Sequence, residues 1–81
     1  MYTLQPAKFC RMNIREIFAK NLRAARRQKG LSQEELAHRA DLDRTYISSL
    51  ERNVYNPTID VVARLADALE IEAASLLQNS D

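Results

Sequence analysis

The stretch SQEELAHRADLDRTYISSLERN, residues 32–53, decides the fold. Ser32 followed three residues on by Glu35 is a capping box, in which each side chain satisfies a backbone N–H of the other, and it predicts a helix opening at Gln33. Leu36, Ala37 and Ala40 then share one face of that helix. The string Asp41, Leu42, Asp43 interrupts the pattern, and Asp43 caps a second short helix, Arg44 to about Arg52, whose inward residues are Ile47 and Leu50. With Leu36, Ala37, Ala40, Leu42, Ile47 and Leu50 facing each other across a three-residue joint, the second helix is locked across the first.

That arrangement is a helix-turn-helix, and its second helix turns a particular set outward. Arg44, Thr45, Ser48, Ser49 and Arg52 are all short or basic hydrogen-bonding groups, of the kind that meets base edges at the start of a recognition helix. No acid falls between Asp43 and Glu51, whereas a merely solvated helix face mixes both signs.

Outward from this pair the same punctuation continues. Asn13 followed by Glu16 caps a helix over about residues 14–29, with Ile14, Phe18, Leu22 and Ala25 at helical spacing. Gly30 supplies the left-handed residue that closes it and Leu31 folds back over the last turn. After Asn53, Thr58 caps a fourth helix with Ile59, Val62, Leu65, Ala66 and Leu69 on one side, and a last short helix, about residues 73–78, places Ala74 and Leu77 beside Ile71. One glycine and two prolines in the whole chain leave few breaks, and no stretch alternates as a strand does. The expected fold is all-α, a compact five-helix domain over residues 13–78. Residues 1–12 contain Pro6, lack helical periodicity and end at Met12, so they read as a flexible N-terminal extension or, through Lys8 and Arg11, an arm toward DNA. Residues 79–81 form a short tail.

At 81 residues and 9.3 kDa there is room for one domain, small enough to gain from a partner subunit. The 46% hydrophobic and 28% charged fractions exclude a disordered chain. The single cysteine, Cys10, excludes an internal disulfide and any cysteine-rich zinc site, and the single histidine, His38, has no second ligand at metal spacing. No apolar run is long enough to span a bilayer, which points to the cytoplasm. The net charge of +1 conceals a gradient: +7 over residues 1–30, −2 over 31–52 and −4 over 53–81. A chain polarised in this way shows one end to a polyanion and keeps the other for a different contact.

Residues 13–77, about four fifths of the chain, resemble the lambda-repressor-like helix-turn-helix domain of the Cro and phage-repressor group, through the run NLRAARRQKGLSQEELAHRADLDRTYISSLERNVYNPTIDVVARLADAL. The segment LDRTYISSLERN is further similar to controller proteins of restriction-modification systems, which regulate their own operons. The resemblance implies a DNA-binding set: Ser32 and Gln33 toward phosphate at a helix start, Arg44 and Thr45 on base edges, Ser48 and Ser49 on the next turn, Arg52 on phosphate, and Asn53 and Tyr55 in the following loop. It implies a structural salt bridge between Arg26 and Glu51, with Arg23 or Arg27 as other partners for that acid. Asp41 and Asn53 stand where the pattern usually has glycine, and both tolerate the left-handed region. Tyr46 packs its ring on the preceding helix or reaches a phosphate with its hydroxyl.

The implied protein is a sequence-specific transcriptional regulator binding double-stranded DNA as a homodimer on a palindrome, without cofactor, metal or small-molecule effector. Its dimer surface is expected at Ile71, Leu76 and Leu77, with Leu76 foremost, because a helix that short cannot turn all three inward. The alternative is a protein-interaction module such as an antitoxin or anti-regulator. Catalysis is not expected: there is no glycine-rich phosphate loop, and the one imidazole lies among charged neighbours.

Overall fold

The computed structural model describes residues 13–79. It contains five helices and, among the described residues, no strand: α1 (Ile14–Gln28), α2 (Gln33–Ala40), α3 (Arg44–Glu51), α4 (Ile59–Leu69) and α5 (Ala73–Leu76). Residues 1–12, for which the sequence suggested an extension, and the last two of the tail lie outside the described residues.

Each of the first four helices opens on a side-chain cap. Asn13 Oδ1 accepts from the Glu16 N–H at 3.0 Å, Asp43 Oδ2 from Thr45 at 2.9 Å, and Thr58 Oγ1 from Val61 at 3.1 Å. At Ser32 the box is reciprocal, since its hydroxyl accepts from Glu35 at 3.0 Å and its N–H donates to Glu35 Oε1 at 2.8 Å. That bond from the Ser32 backbone, with the hydroxyl, holds the Glu35 carboxyl below its ordinary range.

The same four helices all end in one way. A residue at positive φ, Gly30 (77°), Asp41 (60°), Asn53 (61°) or Glu70 (61°), reverses the chain. The next residue, Leu31, Leu42, Val54 or Ile71, returns its N–H to a carbonyl five residues back, at 3.1, 2.8, 2.9 and 3.0 Å. Only one of these reversals uses glycine. Glu70 is the departure the sequence did not announce, and its carboxylate has a use glycine lacks: it accepts from Lys29 Nζ at 2.6 Å, tying the end of α4 to the end of α1.

The core lies between the helices. Leu22, Leu36, Ile47, Leu50, Leu65 and Leu76 are fully buried, joined by Phe18, Ala37, Ala40, Val62, Ala66 and Leu69. Burying each large aliphatic side chain contributes about 1.5–3 kcal/mol, so this cluster is the main driving force. Two expected core residues are not in it. Ile14 is 54% and Ile59 86% exposed, because each sits in the first turn of its helix, beyond the reach of the opposing layer. On α5 the inward residue is Leu76, while Ala74 and Leu77 face out. Asn21 on α1 anchors this last turn, its Nδ2 lying 3.0 Å from the Leu76 carbonyl and 2.8 Å from that of Gln78. No helix among the described residues is long and apolar enough to cross a membrane.

The left-handed residue between α2 and α3 is open to a direct check. Asp41→Gly, which loses only an exposed ion pair to Arg64, is expected to raise stability by about 0.5 kcal/mol, and Asp41→Val to lower it by about 1–2 kcal/mol. Urea unfolding with unchanged m-values reads both.

Candidate nucleic-acid interface

Helix α3 is gripped along two rows. Tyr46, Ser49 and Leu50 form one, Ile47, Leu50 and Glu51 the other, and between them they cover the sides packed on α1 and α2. What remains outward is the stripe Arg44, Ser48, Arg52, flanked by Thr45; Ser48 is half-buried and the other three are exposed. Ser49 does not belong to it. The sequence placed Ser49 outward by counting only Ile47 and Leu50 as inward, but a helix packed on two neighbours buries a wider arc, and Ser49 is 5% exposed. Its carbonyl accepts the Val54 N–H, so the residue serves the closure of α3.

A buried ion pair fixes how far that stripe projects. Glu51, at the end of α3, has its side chain wholly removed from solvent. Its carboxylate accepts from Arg26 Nε at 2.6 Å and Nη2 at 2.9 Å, a forked contact from α1, and Arg26 Nη1 donates to the Leu31 carbonyl at 2.9 Å. Gln33 Nε2, from the first turn of α2, donates to the same Glu51 oxygen at 3.1 Å. Three helices thus meet on one carboxylate, and Arg23 stands behind it with Nε 3.7 Å away. Burial pushes the Glu51 carboxyl up, but the bonds from Arg26 and Gln33 and the charges of Arg26 and Arg23 outweigh it and hold it below the ordinary carboxylate range. Its bond to Glu51 raises the Arg26 guanidinium in turn.

This has an electrostatic result. The one acid of α3 is withdrawn and paired, so the outward stripe of that helix carries Arg44, Arg52 and hydroxyls, with the exposed Asp43 cap at its start. Ser32 and Gln33 lie at the N-terminus of α2, Ser32 exposed and Gln33 half-buried with one side-chain N–H committed to Glu51. No periodicity could have shown that commitment, since the two residues are 18 apart in sequence. Asn53 is exposed at its left-handed position, followed by Val54 and Tyr55, both more than half exposed. The Tyr55 ring lies 6.3 Å from that of Tyr46, which is partly buried against the core.

The residues expected at a dimer surface do not come together. Leu76 is fully buried, held under α1 and α4, so it is not available to a partner as the sequence suggested; the short helix turns this residue, rather than Leu77, into the core. Leu77 is 42% exposed beside α1 and the start of α4. Ile71 is half-buried on another side, near Ala25, Gln28 and Leu69. His38 is exposed, and no cluster of histidine, cysteine or acidic residues suited to a metal ion exists among the described residues.

A family model described as helix-turn-helix matches residues 22–76. The chain is 45% identical over 71 residues to the control protein C.SmaI of Serratia marcescens, covering 88% of this chain and 84% of that protein. It is similar to the crystal structure of a hypothetical transcription factor from Neisseria, with a TM-score of 0.80, 42% identity and coverage of 83% and 75% of the two chains. It is also similar, at a TM-score of 0.73, 35% identity and coverage of 78% and 83%, to the restriction-modification controller protein C.Esp1396I, there a tetramer in complex with its natural operator.

The ion pair yields a stability prediction. Arg26→Ala strands a buried carboxylate and is expected to cost about 3–5 kcal/mol, whereas the double variant Arg26→Met/Glu51→Met recovers most of that loss. A carboxyl held low in the folded state stabilises above its ordinary range and loses that contribution as the pH falls through its lowered value. Acid unfolding of the wild type should therefore carry a proton uptake that is missing from the double variant, read by urea midpoints across pH.

Proposed function

The chain belongs to the helix-turn-helix family, and from that premise we propose that it is a sequence-specific transcriptional regulator reading a palindromic operator in double-stranded DNA as a homodimer. The observation that carries this reading is the outward stripe of α3, with two arginines and two hydroxyls and its single acid folded away. Arginine forks onto guanine O6 and N7, the commonest base-specific contact, and Arg44 at the first position of α3 is the residue we assign to it. Thr45 and Ser48 read neighbouring positions, Arg52 and Asn53 take phosphates, and the N-terminus of α2, with Ser32 and Gln33, offers backbone N–H groups to another phosphate. The family is one of regulators rather than enzymes.

One such head covers only a few base pairs, so useful specificity requires two, about one helical turn or 34 Å apart. The similarity to C.SmaI and C.Esp1396I supports a finer reading as an autoregulatory controller of a restriction-modification operon, working in the cytoplasm at a level set by its own concentration.

Selection from a randomised duplex library, followed by titration of the winner across salt concentrations, tests the reading. A palindromic winner with half-sites about 10–11 base pairs apart is expected, with a salt slope equivalent to several phosphates. Arg44→Ala should then cost about 1–3 kcal/mol at one G·C pair per half-site and leave the slope nearly unchanged, whereas Arg52→Ala should weaken all sequences alike. No enrichment over bulk DNA would turn the search to a protein partner.

A further inference from the structure

Each of the four left-handed closures is followed by an apolar residue, and three of them fold it inward. Leu31 after Gly30 is buried, and Leu42 after Asp41 and Ile71 after Glu70 pack against the core, the usual company of a helix end closed in this way. Val54, after Asn53 at the end of α3, is the exception. Its N–H makes the same bond to the carbonyl five residues back, at 2.9 Å, yet its side chain is left 56% exposed. Tyr55 beside it is 57% exposed, although its ring is held: it lies 6.3 Å from that of Tyr46, the third residue of α3. The chain therefore turns back at Asn53 and brings the Tyr55 ring alongside the first turn of α3, the turn that begins with Arg44 and Thr45.

We propose that Val54, walled by the Tyr55 ring, reads the C5-methyl group of a pyrimidine in the major groove, that of thymine or equally that of 5-methylcytosine. The proposal rests on the DNA-binding reading above and adds a ligand chemistry to it. Arg44, Thr45, Ser48 and Arg52 are suited to exchanging hydrogen bonds with base edges and phosphates, which leaves an apolar pair beside them without a use. The thymine methyl is the one apolar group that the four base pairs display in the major groove, and it is the complement of such a pair. Valine is stiff at χ1, and the bond to the Ser49 carbonyl pins its backbone, so contact costs little conformational freedom. A protein partner fits less well, because two side chains cover far less than a stable protein contact needs and they follow directly on Arg52 and Asn53, which suit a polyanion. Cytosine methylated at C5 presents the same methyl at the same place, so methylation of a cytosine there tightens binding.

The test uses the full chain and the duplex obtained by the selection described above, with each thymine replaced in turn by uracil, which lacks only the methyl. At one position per half-site uracil is expected to weaken binding by about 4-fold for each methyl removed, the value of burying one such group. Cytosine at that position should bind more weakly than thymine, and 5-methylcytosine should recover about the same factor over cytosine. In Val54→Ala both methyl effects should vanish there, while the urea midpoint stays at the wild-type value because this side chain is not packed on the core. Tyr55→Ala should reduce them. A scan that shows no uracil effect, or whose every effect persists unchanged in Val54→Ala, overturns the assignment and leaves the regulator reading standing; persistence there with loss in Thr45→Ser gives the methyl to α3 instead. A selection that enriches no sequence overturns both readings.

Discussion

The relative placement of α1, α2 and α3 converges on the Glu51 carboxylate. Removing a charge from water is costly, and it is tolerated here because Arg26 meets it with a fork and Gln33 adds a third donor. In return the pair links the middle of α1, the first turn of α2 and the end of α3 with directional bonds, whereas the aliphatic core around them is non-directional. A core of leucines allows helices to slide by a fraction of a turn; a carboxylate held by three donors does not. The angle at which α3 projects is thus fixed by hydrogen-bond geometry as well as by packing.

That arrangement also sorts the charges. Net charge over the first thirty residues is strongly positive and over the last third negative, and the one acid within α3 is masked rather than absent. A polyanion approaching the outward stripe of α3 therefore meets Arg44, Thr45, Ser48 and Arg52, with Asp43 at the helix start holding its carboxylate on the Thr45 N–H. The polarity is three-dimensional and not a simple consequence of order along the chain.

The helix boundaries were legible because caps are local chemistry. Asn13, Ser32, Asp43 and Thr58 each act within three residues of their own position, and α2 occupies the residues that its capping box implied. Left-handed closures at Gly30, Asp41 and Asn53 were legible for the same reason. The one at Glu70 was not, because glutamate has no intrinsic preference for that region; the usable signal was Ile71 after it, the apolar residue that each of these closures carries. What depends on several elements at once escaped the pattern. Ser49 looked outward until α3 was seen to pack on two neighbours, Ile14 and Ile59 looked inward because periodicity does not say where the opposing layer stops, and Leu76 and Leu77 exchanged roles on a helix too short to fix its own phase.

One feature of this layout bears on how such a molecule changes over generations. The outward stripe of α3, Arg44, Thr45, Ser48 and Arg52, shares no residue with the buried core, and the tightly bonded carboxylate stands apart from it. Substitutions along the stripe leave the core and the bonds of the Glu51 carboxylate in place, because none of the four side chains takes part in either. The residues turned outward on α3 and the residues that hold the fold are thereby free to vary independently of one another.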